Sequence, residues 1–171
     1  MIKIENISGF DYRDVYHLAG KIDGIVQHPA HVYKIMAAHF TDTFYIAREE
    51  SGSGKSTILG FMMGFVSQSY PGHLFVWQIA VSEAAQGKGV GKKLLRHTVD
   101  FAKQSDSCSA VMATVETTNI GSQALFEKSG FSIDSARFKD VGLELITNDG
   151  KEAVVDYYGS GTDQIFYVLK V

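Results

Sequence analysis

The chain has one cysteine, Cys108, in 171 residues, which excludes an internal disulfide framework and a multi-cysteine metal site. Cys108 precedes an apolar run, where a buried structural thiol is the expected role. No apolar run approaches the ~20 residues that a bilayer-crossing helix needs. The start, Met1-Ile-Lys-Ile-Glu5, lacks the basic-then-apolar layout of a secretion signal, so a cytoplasmic protein with no membrane partner is expected. Only Pro29 and Pro71 punctuate the chain, and neither a low-complexity tract nor an internal repeat suggests an interdomain linker. Charge is sparse as well: 16 Lys plus Arg against 19 Asp plus Glu leave a net −3, with no polycationic surface for nucleic acid. A small or peptide-like partner fits better. His39, His73 and His97 show no ligand spacing, so no metal is expected. What remains is a 45% hydrophobic chain whose length suits one domain with a substantial core.

Residues 86–93, Gln-Gly-Lys-Gly-Val-Gly-Lys-Lys, stand out within it. They follow an apolar run over residues 74–81 and lead into a segment where Val90, Leu94, Thr98 and Phe101 recur at helical spacing. Strand, glycine loop and helix follow in that order. Glycine permits positive φ and lets a ligand approach the backbone closely. The unpaired N–H groups of the helix start, with the positive end of its dipole, form an anion site, and Lys88, Lys92 and Lys93 add charge nearby. A diphosphate suits such a site; from these residues alone, a loop that merely turns the chain is the alternative.

The pattern Gln86-x-x-Gly89-x-Gly91, after a strand ending Ile79-Ala80-Val81, resembles the acetyl-CoA signature of the GNAT family of N-acetyltransferases. Residues 119–131, Asn-Ile-Gly-Ser-Gln-Ala-Leu-Phe-Glu-Lys-Ser-Gly-Phe, are similar to that family's Asn-x-x-Ala-x-x-Leu-Tyr-Glu-x-x-Gly-Phe block, in the right order and at the right separation. The resemblance covers residues 43–133 best. It implies a single N-acetyltransferase domain over residues 1–171 with a mixed α/β (α+β) fold. The sheet is expected to hold about six to seven strands, mostly antiparallel, with a central splayed parallel pair and helices on both faces. The implied co-substrate is acetyl-CoA, held by Ile79, Ala80, Val81, Gln86, Gly87, Lys88, Gly89, Val90, Gly91, Lys92, Asn119 and Phe126.

Taken in order, residues 2–6 suit a short strand, residues 11 to about 25 an amphipathic helix carrying Val15, Leu18, Ile22 and Ile25, and residues 30–40 a second helix. That second helix is expected to share one face among Val32, Ile35, Met36 and His39, with His28-Pro29 at its entry. Residues 43–48 and 58–66 read as a hairpin whose connection contains Gly54-Lys55-Ser56. Glu at position 49 and the β-like run that follows argue against a phosphate loop there, so Lys55 is expected to be dispensable. Residues 110–115 form a further strand parallel to 73–82, joined by a right-handed crossover. Either Asn119 or Ser122 begins the next helix. Residues 131–136, 141–146 and 153–155 look antiparallel, Asn148-Asp149-Gly150 is a hairpin turn, and residues 164–171 close the sheet.

Acetyl transfer to an amine needs a neutral amine, a polarised thioester carbonyl and an exit for the thiolate. An alkylamine of pKa ~10 is mostly protonated at neutral pH, so a carboxylate must accept its proton. Glu116, at a strand end and on the face of Thr114, is the candidate. The resemblance implies an oxyanion site on backbone N–H groups of Ile79, Ala80 and Val81. Where many relatives have a Tyr to protonate the thiolate, this chain has Phe126; Tyr157, Tyr158 or water must serve instead. Strand alternation lets only one of Trp77 and Gln78 look into the acceptor pocket.

His39-Phe-Thr-Asp-Thr43 with Ala47, the run over residues 75–81 and Phe126 resemble the diaminobutyrate acetyltransferase branch of ectoine synthesis, and Tyr33 is kept. Residues 26–29, Val-Gln-His-Pro, depart from that branch, while residues 156–163 look like the tail of transferases acting on protein or peptide amines. The resemblance implies Tyr33, Asp42, Trp77 and Gln78 as acceptor contacts and a small amino or diamino acid as acceptor, with a peptide or protein amine as the alternative. A non-catalytic acyl-CoA sensor is the reading of another class. A homodimer is compatible with all three.

Overall fold

The computed structural model describes residues 2–50, 56–135 and 142–171. Its strands are β1 (Ile2–Asn6), β2 (Phe44–Glu50), β3 (Ser56–Val66), β4 (His73–Val81), β5 (Ala110–Glu116), β6 (Ser132–Ile133), β7 (Leu145–Asn148), β8 (Lys151–Val154) and β9 (Gln164–Lys170). Its helices are α1 (Tyr12–Ala19), α2 (Ala30–His39), α3 (Val90–Gln104) and α4 (Ile120–Lys128). One sheet of nine strands runs β1-β2-β3-β4-β5-β9-β8-β7, with the two-residue β6 pairing to β9. The sheet is mixed α/β and antiparallel except for β4 beside β5. The count exceeds six or seven because β6, β7 and β8 are short pieces at one edge. Among the described residues no helix is long and apolar enough to cross a membrane.

Strand alternation divides the core into two layers. On β2 and β3, Phe44, Ile46, Phe61 and Met63 meet α1 and α2, packing with Val15, Ala19, Tyr33, Met36 and Ala37. Their neighbours Tyr45, Ala47 and Met62 face the other way, toward Leu94, Leu95 and Val99 of α3 and Phe126 of α4. Because both faces of these strands are covered, they read in the sequence as near-continuous apolar runs.

Three details differ from expectation. The first helix stops at Ala19 instead of near residue 25. At its end Gln27 folds back so that its Nε2 donates to the Tyr16 carbonyl at 2.8 Å, in space that a Cβ on residue 20 would need. Residues 24–28 are thereby brought toward the middle of the sheet. On α2 the buried face is Tyr33, Met36 and Ala37, leaving Ile35 51% exposed. The edge strands are shorter and shifted: β6 spans only Ser132–Ile133, and β7 begins at Leu145. Lys55 and the start of the strand expected over residues 141–146 lie outside the described residues. The turn at Asp149 and Gly150, with φ of 47° and 77°, joins Asn148 to its partner Lys151 as a two-residue hairpin of the kind such residues favour.

Arg48 ties β1 to the start of α1, donating from Nε to Glu5 at 2.6 Å and from a terminal nitrogen to Asp11 at 2.8 Å. Glu5 is held below the usual carboxylate range by that hydrogen bond from Arg48. Burial pushes Asp11 up, but hydrogen bonds from the Ser8 hydroxyl and amide and from Arg48 outweigh it.

Candidate active site

The site starts from a register shift. Opposite β3, Met63 pairs with Gln78 and Gly64 with Val76, which leaves Trp77 as an extra residue on β4. A Cβ at residue 64 would collide with the Phe75 carbonyl oxygen, so the chains approach this closely only at a glycine. The bulge reverses the alternation: Leu74 and Val76 pack toward α3 before it, and Ile79 and Val81 after it. Trp77 and Gln78 therefore both reach the same cleft, where strict alternation predicted only one.

At the same point β4 and β5 part. Parallel pairing runs from His73 with Ala110 to Val76 with Ala113 and goes no further. Beyond it, the backbone groups of β4 that would meet β5 have no strand opposite. The opening is a cavity of about 450 Å³. Its walls are Val76, Trp77, Gln78 and Ile79 of β4, Thr114 and Glu116 of β5, Asn119, Ser122 and Phe126 of α4, His28 and residues 24–26, and Tyr158 with Thr162 from the β8–β9 loop.

Each wall has its own support. Glu116 ends β5, where its carbonyl accepts from Asn119 N at 3.0 Å and from Gln123 Nε2 at 3.2 Å. Its carboxylate has no hydrogen-bond or ion-pair partner among the described residues. Asn119 caps α4, its side chain accepting from Ser122 N at 3.0 Å. One turn on, Phe126 is buried, stacked on Tyr167 at 5.7 Å and edge-on to Phe131 at 5.1 Å. Tyr158 and Thr114 share a hydrogen bond of 3.0 Å between their hydroxyls. Tyr158 as a residue is 60% exposed, while its hydroxyl is bonded to Thr114; desolvation raises the phenol, which keeps its proton at neutral pH.

Opposite them, the buried Tyr33 hydroxyl donates to Gln78 Oε1 at 3.1 Å and accepts from His28 N at 3.3 Å. Gln78 Nε2 in turn donates to the Val26 carbonyl at 2.7 Å. This network fixes the α1–α2 connection over the cavity. His28 lies 4.9 Å from the Trp77 ring, and burial lowers its pKa, favouring the neutral imidazole.

Next to the cleft, Gly87 and Gly89 have φ of 75° and 76° with open space where a Cβ would project. Gly89 is the left-handed N-cap of α3, and the first bond back into it runs from Lys93 N to Gly89 O at 3.0 Å. The N–H groups of Val90, Gly91 and Lys92 are thus without an intrahelical acceptor. Gly91 packs between Leu125 of α4 and Val81 of β4. Gln86, Lys88 and Lys92 are exposed around this start, and Gln86 Nε2 reaches the Val81 carbonyl at 3.3 Å. A bare, glycine-lined row of donors at a helix N-terminus fits a diphosphate.

Some expected contacts fall elsewhere. Asp42 is exposed in the turn Thr41–Thr43 before β2, where its carbonyl accepts from the Tyr45 hydroxyl, and it does not line the cavity. Tyr157 packs edge-on against Phe166 at 4.8 Å and faces a neighbouring pocket. Ala80 turns its side chain into the α1–α2 layer, leaving only its backbone for the cleft. Tyr33 does not line the cavity; its hydroxyl bonds to Gln78, which does. Sequence reasoning passed over Ser122 and His28. Ser122 sits four residues before Phe126, a helical spacing that shares a face; His28 carried no signal beyond its place before Pro29. Among the described residues no group of three or more His, Cys, Asp or Glu is placed to hold a metal ion.

The model of the acetyltransferase (GNAT) family matches residues 11–131. Over 112 residues the chain is 31% identical to L-2,4-diaminobutyric acid acetyltransferase of Virgibacillus pantothenticus, covering 66% of this chain and 67% of that one. Over 99 residues it is 35% identical to the protein of the same name from Halalkalibacterium halodurans, covering 56% and 48%. The matches thus span about half to two thirds of these relatives' lengths. Among solved structures, diaminobutyrate acetyltransferase EctA from Paenibacillus lautus, in complex with L-2,4-diaminobutyric acid and coenzyme A, superposes with a TM-score of 0.70 at 21% identity, over 99% of this chain and 95% of that one. Arabidopsis thaliana Naa50 with a bisubstrate analogue gives 0.72 at 16% identity, over 99% of both chains. The bulged and splayed β4, the bare glycine start of α3 and a family match running from α1 through α4 agree with one another, and the chain belongs to the acetyltransferase (GNAT) family.

Proposed function

We propose that this acetyl-CoA-dependent N-acetyltransferase works as a single domain that passes the acetyl group directly to the primary amine of a small molecule. The observation that supports it best is the cleft between β4 and β5, where a carboxylate, phenolic and serine hydroxyls and unpaired strand backbone converge. Acetyl-CoA supplies the thioester. The N–H groups opening α3, with Lys88 and Lys92, hold its diphosphate. The β4 backbone beyond Val76 directs N–H groups at the carbonyl oxygen as charge develops there. Glu116 takes the proton from the amine, directly or through water. Since Phe126 has no proton to give, the hydroxyl of Tyr158 or Ser122 protonates the departing thiolate.

Free-thiol release with an amine panel, read with mass spectrometry of the products, tests this. Because the curated relatives carry its name, L-2,4-diaminobutyrate heads the panel, followed by lysine, polyamines and short peptides. Calorimetric binding of acetyl-CoA with no turnover on any amine would make the protein a sensor and end the catalytic reading.

A further inference from the structure

Beside the acetyl cleft lies a second pocket, of about 480 Å³. Its floor is the part of that sheet face beyond α1 and α2, since those helices pack over β2 and β3 and meet β4 at Ala80 and, through Tyr33, at Gln78. Phe65, Phe75, Met112 and Phe166 rise from that floor, and Tyr157 and Tyr158 close over it from the β8–β9 loop. The two pockets share Trp77, Thr114 and Tyr158, so the Thr114–Tyr158 hydrogen bond is a sill between them. No charged side chain lines the second pocket among the described residues. Trp77, 37% exposed, stands at the junction with large apolar area still open.

We infer that this pocket is the recognition site for the acceptor's carbon skeleton, and that the acceptor is a primary amine bearing an uncharged aromatic or long alkyl group. The inference rests on the amine-acetylation reading and narrows its substrate class. An amine poised at the Glu116 end of the cleft has the sill one short step away, so the group it carries crosses onto the aromatic floor. A carboxylate placed there would shed its water with no cation of the described residues lining the pocket. An apolar group instead removes its own surface and that of Trp77, Phe65 and Phe75 from water together.

Linear amines from ethylamine to pentylamine share a reacting nitrogen of nearly constant pKa. Along that series kcat/KM is expected to rise about fourfold per methylene, which is ~0.8 kcal/mol each. 2-Phenylethylamine should exceed diaminobutyrate at least tenfold. Phe65 lies 5.5 Å from Phe75 and 6.3 Å from Trp77, and Phe65→Ala should lower the 2-phenylethylamine to ethylamine ratio at least fivefold, through KM rather than kcat. Trp77 is the chain's single tryptophan, so its fluorescence reports occupancy without turnover. Saturable quenching by 2-phenylethylamine, weakened by Phe65→Ala, with no acetylated product would uphold the pocket and sink the transferase reading. Acetylated diaminobutyrate with no gain along the alkyl series would do the reverse. Preference for 1,4-diaminobutane over butylamine would show the rings holding a cation and overturn the proposal. So would a dimer by light scattering that Phe65→Ala dissociates, with no effect on amine selectivity.

Discussion

Glu116→Gln separates charge from structure at the proposed base. The side chain lines the cleft, while the residue's place is fixed by backbone: register with Gln164 on β9 and a carbonyl that accepts from Asn119 and Gln123. With no partner for the carboxylate, glutamine keeps the volume and removes only the charge, so stability and acetyl-CoA affinity should stay as they are. General-base catalysis is worth about 10²–10⁴-fold, or roughly 2.7–5.5 kcal/mol, and the variant should lose that much of kcat. For an acceptor of pKa ~10 the neutral fraction rises from about 0.3% near pH 7.5 to about 24% near pH 9.5, so solution should return roughly 75-fold of the loss across that span. Stopped thiol-release assays over the pH range, with calorimetry for acetyl-CoA, measure both. A variant within about threefold of the parent at every pH would refute the assignment. The base would then be His28, whose imidazole shares the cleft and is kept neutral by burial.

Gly89→Val puts a β-branched residue at φ 76° and over the bare N–H row of α3; acetyl-CoA should bind at least ~10-fold more weakly by calorimetry, about 1.4 kcal/mol, and unchanged affinity in a folded variant would remove the loop from the donor site. Tyr158→Phe, which deletes the hydroxyl shared with Thr114, should lower kcat about tenfold without changing acetyl-CoA affinity. If Ser122→Ala alone shows that loss, Ser122 is the donor to the thiolate. Arg48→Met should cost about 2 kcal/mol in urea melts at neutral pH by leaving Glu5 and Asp11 without their shared partner. Both carboxyls sit below their unfolded values, so their contribution is full above about pH 4.5 and fades as pH falls through the lowered folded values. The parent should therefore lose more stability than Arg48→Met on acidification, and equal losses would show the triad to be inert.

The readable parts of this protein are those settled by neighbours in the chain. Glycines with left-handed φ at the head of an amphipathic helix, an Asn placed to cap α4 and an Asp-Gly turn between β7 and β8 are local devices, and each stands where its residues suggest. The bulge at Trp77 is of another kind. It is forced from across the sheet by Gly64, the position where a Cβ would strike the Phe75 carbonyl, so nothing within β4 announces it. Yet that one extra residue puts Trp77 and Gln78 on the same side of the strand. It also coincides with the last β4–β5 pair, so the cleft opens where the alternation changes hands. Tyr33 could then be placed near the acceptor by resemblance but not given its task, because its partner Gln78 lies 45 residues on. Asp42, an acceptor contact implied by resemblance alone, shows the converse: it lies in the turn before β2, which β3 separates from the cleft. The aromatic floor is the extreme case. Phe65, Phe75, Met112 and Phe166 come from four strands brought side by side by the order β3-β4-β5-β9, and a sheet order is a long-range property that the spacing of residues along one strand does not contain.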